Sequence, residues 1–296
     1  TLDDGTTSLS IYNDKSYTNW ADIILQDGLT QNYEVSVSGG NDKTTYNLSL
    51  GSMFEEGLMK NDEMDRYNAK FVLDHTINNV FKVGANLLYT YKSLDARAGG
   101  VFNQSLKMTS ITHAYLSDGT MNNTPNPWYA AHANPLLDEQ EGNYQNNTES
   151  TRFFGNTYLE INPIKDLRFK TLLSVDRSNG RQGIYQDYLS VGRYQSPGTT
   201  GISAELDVST NLYWENTLNY IKNIGINHSI TAMLGHTMTQ KVYEQNYTSG
   251  DAGKEHYYQS SFYDVAKILT ETTTSNYVKQ SLMSYFGRVN YSFKDR

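Results

Sequence analysis

The sequence contains no cysteine, so neither a disulfide framework nor a thiolate metal site can be built from it. Proline is scarce too, with 5 in 296 residues, which suits strands and polar loops. Basic residues are outnumbered: 24 Lys and Arg face 32 Asp and Glu, for a net charge of −8 and a pI near 5.2. That balance argues against a nucleic-acid partner, whose backbone calls for clustered cations. No window approaches the roughly 20 consecutive apolar residues of a spanning helix, and the mean hydropathy is −0.62. This excludes helical spans but not a membrane barrel, in which only alternate residues face lipid. The opening run TLDDGTTSLSIYNDKSY has no basic start followed by an apolar stretch, so no signal peptide is visible.

What is present is aromatic and polar: 24 Tyr, 10 Phe and 3 Trp, set among Asn, Ser, Thr and 22 Gly. Apolar and polar residues alternate in segments of roughly 7 to 13, the half-buried strand signature, and about nine such strands are predicted. They run Tyr33 to Gly39, Thr44 to Ser52, Tyr67 to Asp74, Phe81 to Tyr91, Arg152 to Ile161, Leu167 to Asp176, Thr210 to Tyr220, His228 to His236 and Ser281 to Phe293. The apolar register carries Val35, Leu48, Phe71, Val83, Leu173, Leu218 and Val289; the other face carries Glu34, Lys70, Asp74, Lys82, Lys170, Glu215 and Arg288. The alternation is least regular at Tyr158 and Asn216.

A soluble sandwich alternates as well, so the connections have to discriminate. Short links (Gly40 to Lys43, His75 to Val80, Asn162 to Asp166, Ile221 to Asn227) alternate strictly with long ones (Met53 to Arg66, Lys92 to Thr151, Arg177 to Ser209, Thr237 to Gln280). In an all-β, antiparallel up-and-down transmembrane barrel this puts every tight turn at one end and every long loop at the other, as in outer-membrane barrels. Aromatics on the apolar face fall toward both strand ends, as two membrane-interface girdles would.

The run TNWADIILQDGLTQNYEVSVSGGNDKTTYNLSLGSMFEEGLMKNDEMDRYNAKFVLDHTINNVFKVGANLLYTY, Thr18 to Tyr91, resembles the early barrel of SusC/RagA-type TonB-linked outer-membrane proteins. There a W-x-D-x-I segment leads into a strand ending SVSGG-N-x-K-T-T-Y. Arg152 to Asp176 and Ser284 to Arg296 are similar to later strand pairs, and Asn126, Pro127, Trp128 and Tyr129 share the family's NP-aromatic flavour. The resemblance implies an internal piece of a much longer chain: residues 1–32 as extracellular loop and lead-in, and 33–296 as a partial barrel without its plug domain and carboxy-terminal strands.

It further implies TonB-dependent import of an oligosaccharide or peptide across the outer membrane of a Gram-negative, Bacteroidetes-like bacterium. The implied partners are a SusD-like surface lipoprotein, the TonB complex acting through the plug, the glycan or peptide substrate, and outer-membrane lipid. A siderophore or cobalamin receptor of the wider TonB-dependent group and a soluble carbohydrate-binding β protein remain alternatives.

No enzyme chemistry or cofactor is expected. GxSxG and HExxH are absent, and His75, His113, His132, His228, His236 and His256 are scattered without ligand spacing, so they read as loop or strand-end polar residues. Glu55, Glu56, Asp62, Glu63 and Asp65 could offer oxygen to calcium but lack an EF-hand pattern, and a solvated loop is the simpler reading. The candidate ligand or lid contacts are the loop aromatics Trp128, Tyr129, Tyr144, Tyr185, Tyr188, Tyr194, Tyr247, Tyr257 and Tyr258. Each either stacks on a sugar ring or lid surface or packs the loops together, since an aromatic face is apolar while its OH or NH can hydrogen-bond.

Overall fold

The computed structural model describes residues 17–126, 132–194, 198–253 and 268–294. Nine antiparallel strands form one sheet in which each pairs with its sequence neighbours. They are β1 (Leu29–Gly40), β2 (Thr44–Glu56), β3 (Glu63–Thr76), β4 (Phe81–Asp95), β5 (Tyr144–Ile164), β6 (Leu167–Gln186), β7 (Thr199–Ile224), β8 (His228–Gly253) and β9 (Ile268–Phe293). No second sheet faces this one among the described residues, so the sandwich is excluded. The described residues contain no helix long and apolar enough to cross a membrane.

The tight turns are built by side chains as the sequence suggests. Asn41 Oδ1 accepts from the amides of Lys43 and Thr44, both at 2.9 Å, and Asn78 Oδ1 does the same for Val80 and Phe81. Both are Asx turns, in which a side-chain oxygen substitutes for a backbone one.

Three glycines seat aromatics. Gly39, Gly84 and Gly235 lie directly opposite Tyr46, Tyr158 and Phe286 in the ladder. A Cβ at any of the three would meet the facing aromatic side chain at 2.6 Å or less, so each ring lies flat across its glycine.

The strands are much longer than the alternation predicts, and they lengthen along the chain from 12 residues in β1 to 26 in β7, β8 and β9. About 9 to 11 residues suffice to cross a bilayer, so the later strands continue well past it. The reason the sequence conceals this lies in solvent. On β6 the apolar register Phe169, Leu173, Val175 gives way to Arg177 and Arg181, and Arg181 pairs with Glu149 of β5 at 3.0 Å on that same face. Once both faces are wet, nothing enforces alternation. The expected loops 177–209 and 237–280 therefore contract to 187–198 and 254–267, and the order of short and long connections is kept.

Val35 is 75% and Val289 73% exposed, and Leu48, Leu173 and Leu218 are exposed too, as a lipid-facing surface must be without its lipid. Phe71 and Val83 are half-buried among their neighbours. On this face Tyr33, Phe54, Tyr67 and Tyr91 form a row across four strands, with ring centroids 5.8 to 6.4 Å apart. Trp214, His236 and Tyr285 continue such a row across β7 to β9 at 5.4 and 5.0 Å, and His228 packs between Tyr291 and Phe293 at the tight-turn end. His228 and His236 are thus members of the aromatic rows and not isolated polar ends, whereas His75, near the end of β3, pairs with the Thr44 hydroxyl at 2.7 Å.

Tyr158, irregular in the alternation, belongs to the polar face. Its hydroxyl donates to Asp74, its ring lies 4.5 Å under the Lys170 ammonium, and Lys82 pairs with the same Asp74 at 3.7 Å. Arg152 grips Asp176 through two bonds of 2.8 and 2.7 Å on that face. In a barrel this is the lumen side, where polar partners replace water.

Candidate functional site

The apolar core of the described chain lies outside the sheet, at its long-loop end. Two short helices, α1 (Trp20–Ile24) and α2 (Gly100–Lys107), and the 3-10 helix Pro135–Glu139 pack there around Trp20, Ile24, Val101, Met108, Ala114 and Leu136. The W-x-D-x-I segment accounts for its half: Trp20 and Ile24, four residues apart on α1, are 3% and 1% exposed while Asp22 stays outside. Trp20 Nε1 donates to the Thr109 carbonyl at 3.1 Å.

Asn134–Pro135 holds the other half. Asn134 caps the 3-10 helix through Leu136 N at 3.0 Å and donates to the carbonyls of Ala114 and Asn122 at 2.9 and 2.8 Å. Pro135 occupies the first helical position, where its missing N–H costs nothing. The NP pair that organises this cap is therefore eight residues beyond Asn126–Pro127. Asn126 is buried, whereas Pro127, Trp128 and Tyr129 lie outside the described residues.

A charged knot ties the cap together. The Arg97 amide donates to Asp62, and its guanidinium pairs with Glu139 and donates to the Asp138 carbonyl. Asp138 Oδ1 accepts from Val191 N at 2.7 Å, and Asn61 donates to Glu139 at 2.7 Å. Loops 57–62, 96–143 and 187–198 thus meet at one point. Burial pushes the Asp138 carboxyl up to about 6, against the pull of the Val191 amide and Arg97, and raises Glu139 for the same reason. Sequence reasoning missed Arg97, Asp138 and Glu139, because single charges in a loop carry no pattern. The Asn-Pro pair ahead of Asp138 was the one usable signal.

The proposed contact residues separate into groups. Tyr144 opens β5 and lines a cavity of about 430 Å³ beside Arg97, Asp138 and Glu139, where burial raises its phenol. Tyr185 is on β6 and not in a loop; at 3% exposure it has no face for a ligand, and burial together with Asp187 raises its phenol. Tyr188 and Tyr194 are half-buried in the link from β6 to β7. Tyr247, also a strand residue, faces the polar side of β8 and lines a second cavity of about 430 Å³. Tyr257 and Tyr258 lie outside the described residues. The acidic residues 55–65 are spread along two strands and their link, and no cluster of metal-binding geometry occurs among the described residues.

An up-and-down antiparallel wall with sorted connections, paired aromatic rows, a polar inner face and a folded cap at the long-loop end defines a β-barrel of the outer-membrane type. No family model matches the chain. Among curated proteins it is 29% identical over 292 residues to TonB-dependent receptor P26 of Formosa agariphila and 24% identical over 308 residues to TonB-dependent receptor SusC of Bacteroides thetaiotaomicron, each covering 94% of this chain. It spans only 28% and 29% of those proteins. The structure of the RagAB peptide transporter superposes with a TM-score of 0.78 at 20% identity, over 95% of this chain and 32% of that one. Over nearly its whole length the chain is thus similar to a barrel segment of SusC-type TonB-dependent receptors.

Proposed function

We propose that this segment forms wall, lumen lining and outer rim in the energy-dependent import of an oligosaccharide or peptide across the outer membrane of a Gram-negative bacterium. The observation that carries the reading is the one-sided build of the wall. The strand ends joined by long connections lie at one end of the sheet, and three of those connections are knotted into a cap by Arg97, Asp138 and Glu139. Such an end offers a shaped surface to a surface lipoprotein of the SusD kind, while the polar face, with Arg152–Asp176 and the Tyr158 cluster, offers hydrogen bonds to a passing solute. TonB would act through a plug domain held inside the closed barrel, and the exposed apolar face would meet lipid. The named relatives are receptors.

The test is a deletion of the complete gene, followed by growth on single glycans or peptides as the sole carbon source. Loss of growth on one of these polymers, with uptake stopped by a proton uncoupler, is the expected result. Unchanged growth on all of them overturns the reading, and a defect confined to iron or cobalamin limitation transfers the chain to the siderophore and cobalamin receptors.

A further inference from the structure

Beyond the bilayer, the polar face of β6, β7 and β8 carries three rungs. The uppermost aligns Gln186, Gly201 and Asp251 across the three strands; the next aligns Ile184, Ser203 and Ser249, reaching Thr272 on β9; the third brings in Tyr247 opposite Glu205. Successive rungs on one face are two residues apart, roughly 7 Å. Apart from Glu205, which lies outside the lining, these residues floor the second cavity of about 430 Å³, which is within the range of small-molecule sites and holds roughly one or two sugar rings.

Three features show that this hollow is built. Gly201 sits mid-rung, and a Cβ there would come within 2.3 Å of the Arg193 guanidinium, so glycine lets Arg193 lie across the strand. Arg193 comes from the link between β6 and β7 and pairs with Asp251, the cross-strand neighbour of that glycine. The ladder between β8 and β9 shifts register at Asp251, and such a bulge re-aims the side chain it carries.

The lining selects by chemistry. Arg193 and Asp251 are its only charged members among the described residues, and they neutralise each other, so the guanidinium is a donor whose charge is already matched. An anionic ligand would have to displace Asp251. The remaining polar groups are the hydroxyls of Ser203, Ser249 and Thr272 and the amide of Gln186, beside the Tyr247 ring. An aromatic face with neutral donors and acceptors matches a polyhydroxylated ring. A peptide would gain less, because the backbone of β7 and β8 is paired on both sides and leaves no edge for strand addition.

Resting on the import reading above, we propose that this hollow is a subsite for one sugar unit of an uncharged oligosaccharide, with Tyr247 as the stacking platform and the Arg193–Asp251 pair as the element that sets the preference for neutral over acidic glycans. The complete transporter, purified in detergent, is titrated by native mass spectrometry with an equimolar mixture of cellohexaose, xylohexaose, mannohexaose, hexagalacturonate and a neutral hexapeptide.

A neutral hexaose should bind the wild type, and Tyr247→Ala should weaken it about tenfold. Gly201→Ala, which pushes Arg193 off the strand, should weaken it similarly. Asp251→Asn leaves the guanidinium charge unmatched and should move the ratio of hexagalacturonate to neutral binding upward by about tenfold. A merely structural role would not reverse a preference, and heat-modifiable gel mobility reports that each variant has assembled. An unchanged ratio in Asp251→Asn, or unchanged binding in Tyr247→Ala, overturns the subsite. So does a wild type that takes only the hexapeptide, a result that leaves import standing. A wild type that also fails to import any glycan or peptide overturns both readings.

Discussion

Asp138 and Val191 are 53 residues apart in sequence, yet the carboxylate of one accepts the amide hydrogen of the other at 2.7 Å, which fastens the link between β4 and β5 to the link between β6 and β7. A hydrogen bond to a charged acceptor is worth about 1.5–3 kcal/mol. Asp138→Ala should therefore free the cap without unfolding the wall. The check is hydrogen exchange at the Val191 amide, which should rise by one to two orders of magnitude while amides in β6 and β7 keep their protection. Equal loss in the strands would show that cap and wall unfold together.

The same carboxyl sets a pH dependence. Its value in the folded protein, about 6, lies above its usual 3.8, so the folded cap holds the proton more tightly than the opened one. The linkage sign follows: the cap is firmest below pH 4, loses stability as pH rises from about 4 to 6, and is least stable above that. The full effect is on the order of 3 kcal/mol. Val191 exchange, corrected for its intrinsic rate, should be slower at pH 5 than at pH 7.5. Asp138→Asn, which keeps an acceptor for Val191 but cannot ionise, should flatten most of the difference, Glu139 contributing the residue in the same direction.

Trp20 anchors the cap from the opposite side. Removing a buried Trp costs about 3–5 kcal/mol, more than the small core around α1 and α2 can absorb. Trp20→Ala should make residues 96–126 sensitive to protease in the intact transporter, with heat-modifiable mobility unchanged. Continued resistance would mean that the backbone hydrogen bond from Thr18 to Ser110 and the charged knot hold the cap without its core and without the indole's bond to Thr109.

The two faces of β6 can be distinguished by one substitution at neighbouring positions. Leu173 lies in the apolar register and Ser174 on the polar side. Arg on a lipid face costs about 2–4 kcal/mol at the midplane and much less in the lumen. Leu173→Arg should lower the temperature at which the folded band is lost on a gel by several degrees more than Ser174→Arg. Equal shifts would refute the lipid-facing assignment.

Gly84 carries a fifth test. A Cβ there would strike the Tyr158 ring at 2.2 Å and approach Asp74 at 2.9 Å. Gly84→Val should cost about 1–3 kcal/mol through overpacking, and the paired change Gly84→Val with Tyr158→Ala should recover part of it. A double variant no better than the single would show that the strain lies in the backbone.

The wall was legible in the sequence wherever lipid dictates one side of each strand, as in β1 to β4, whose ends fall within a few residues of the alternation. It was illegible where water bathes both faces. Residues 199–209 look like loop because Glu205 and Leu206 have no common side to avoid, although they are as firmly paired as Leu218. The cap could be read only through a resemblance, since Trp20, Asn134 and Arg97 come together from three distant places. Tyr185 illustrates the limit for ligand contacts: a tyrosine in polar surroundings looks available until its cross-strand neighbour Ile202 and the Asp187 link are in place.

The rim is therefore made of two materials. Along β7 to β9 it is the upper part of strands 26 residues long, a ladder of backbone hydrogen bonds with one register shift at Asp251, which resists bending as a ribbon does. Above β1 to β4 it is a packed cap on strands half as long, held by a handful of side chains and one charged knot. Under load the compliance of the mouth is lopsided: the ladder side stays put, and any widening is taken up by the cap.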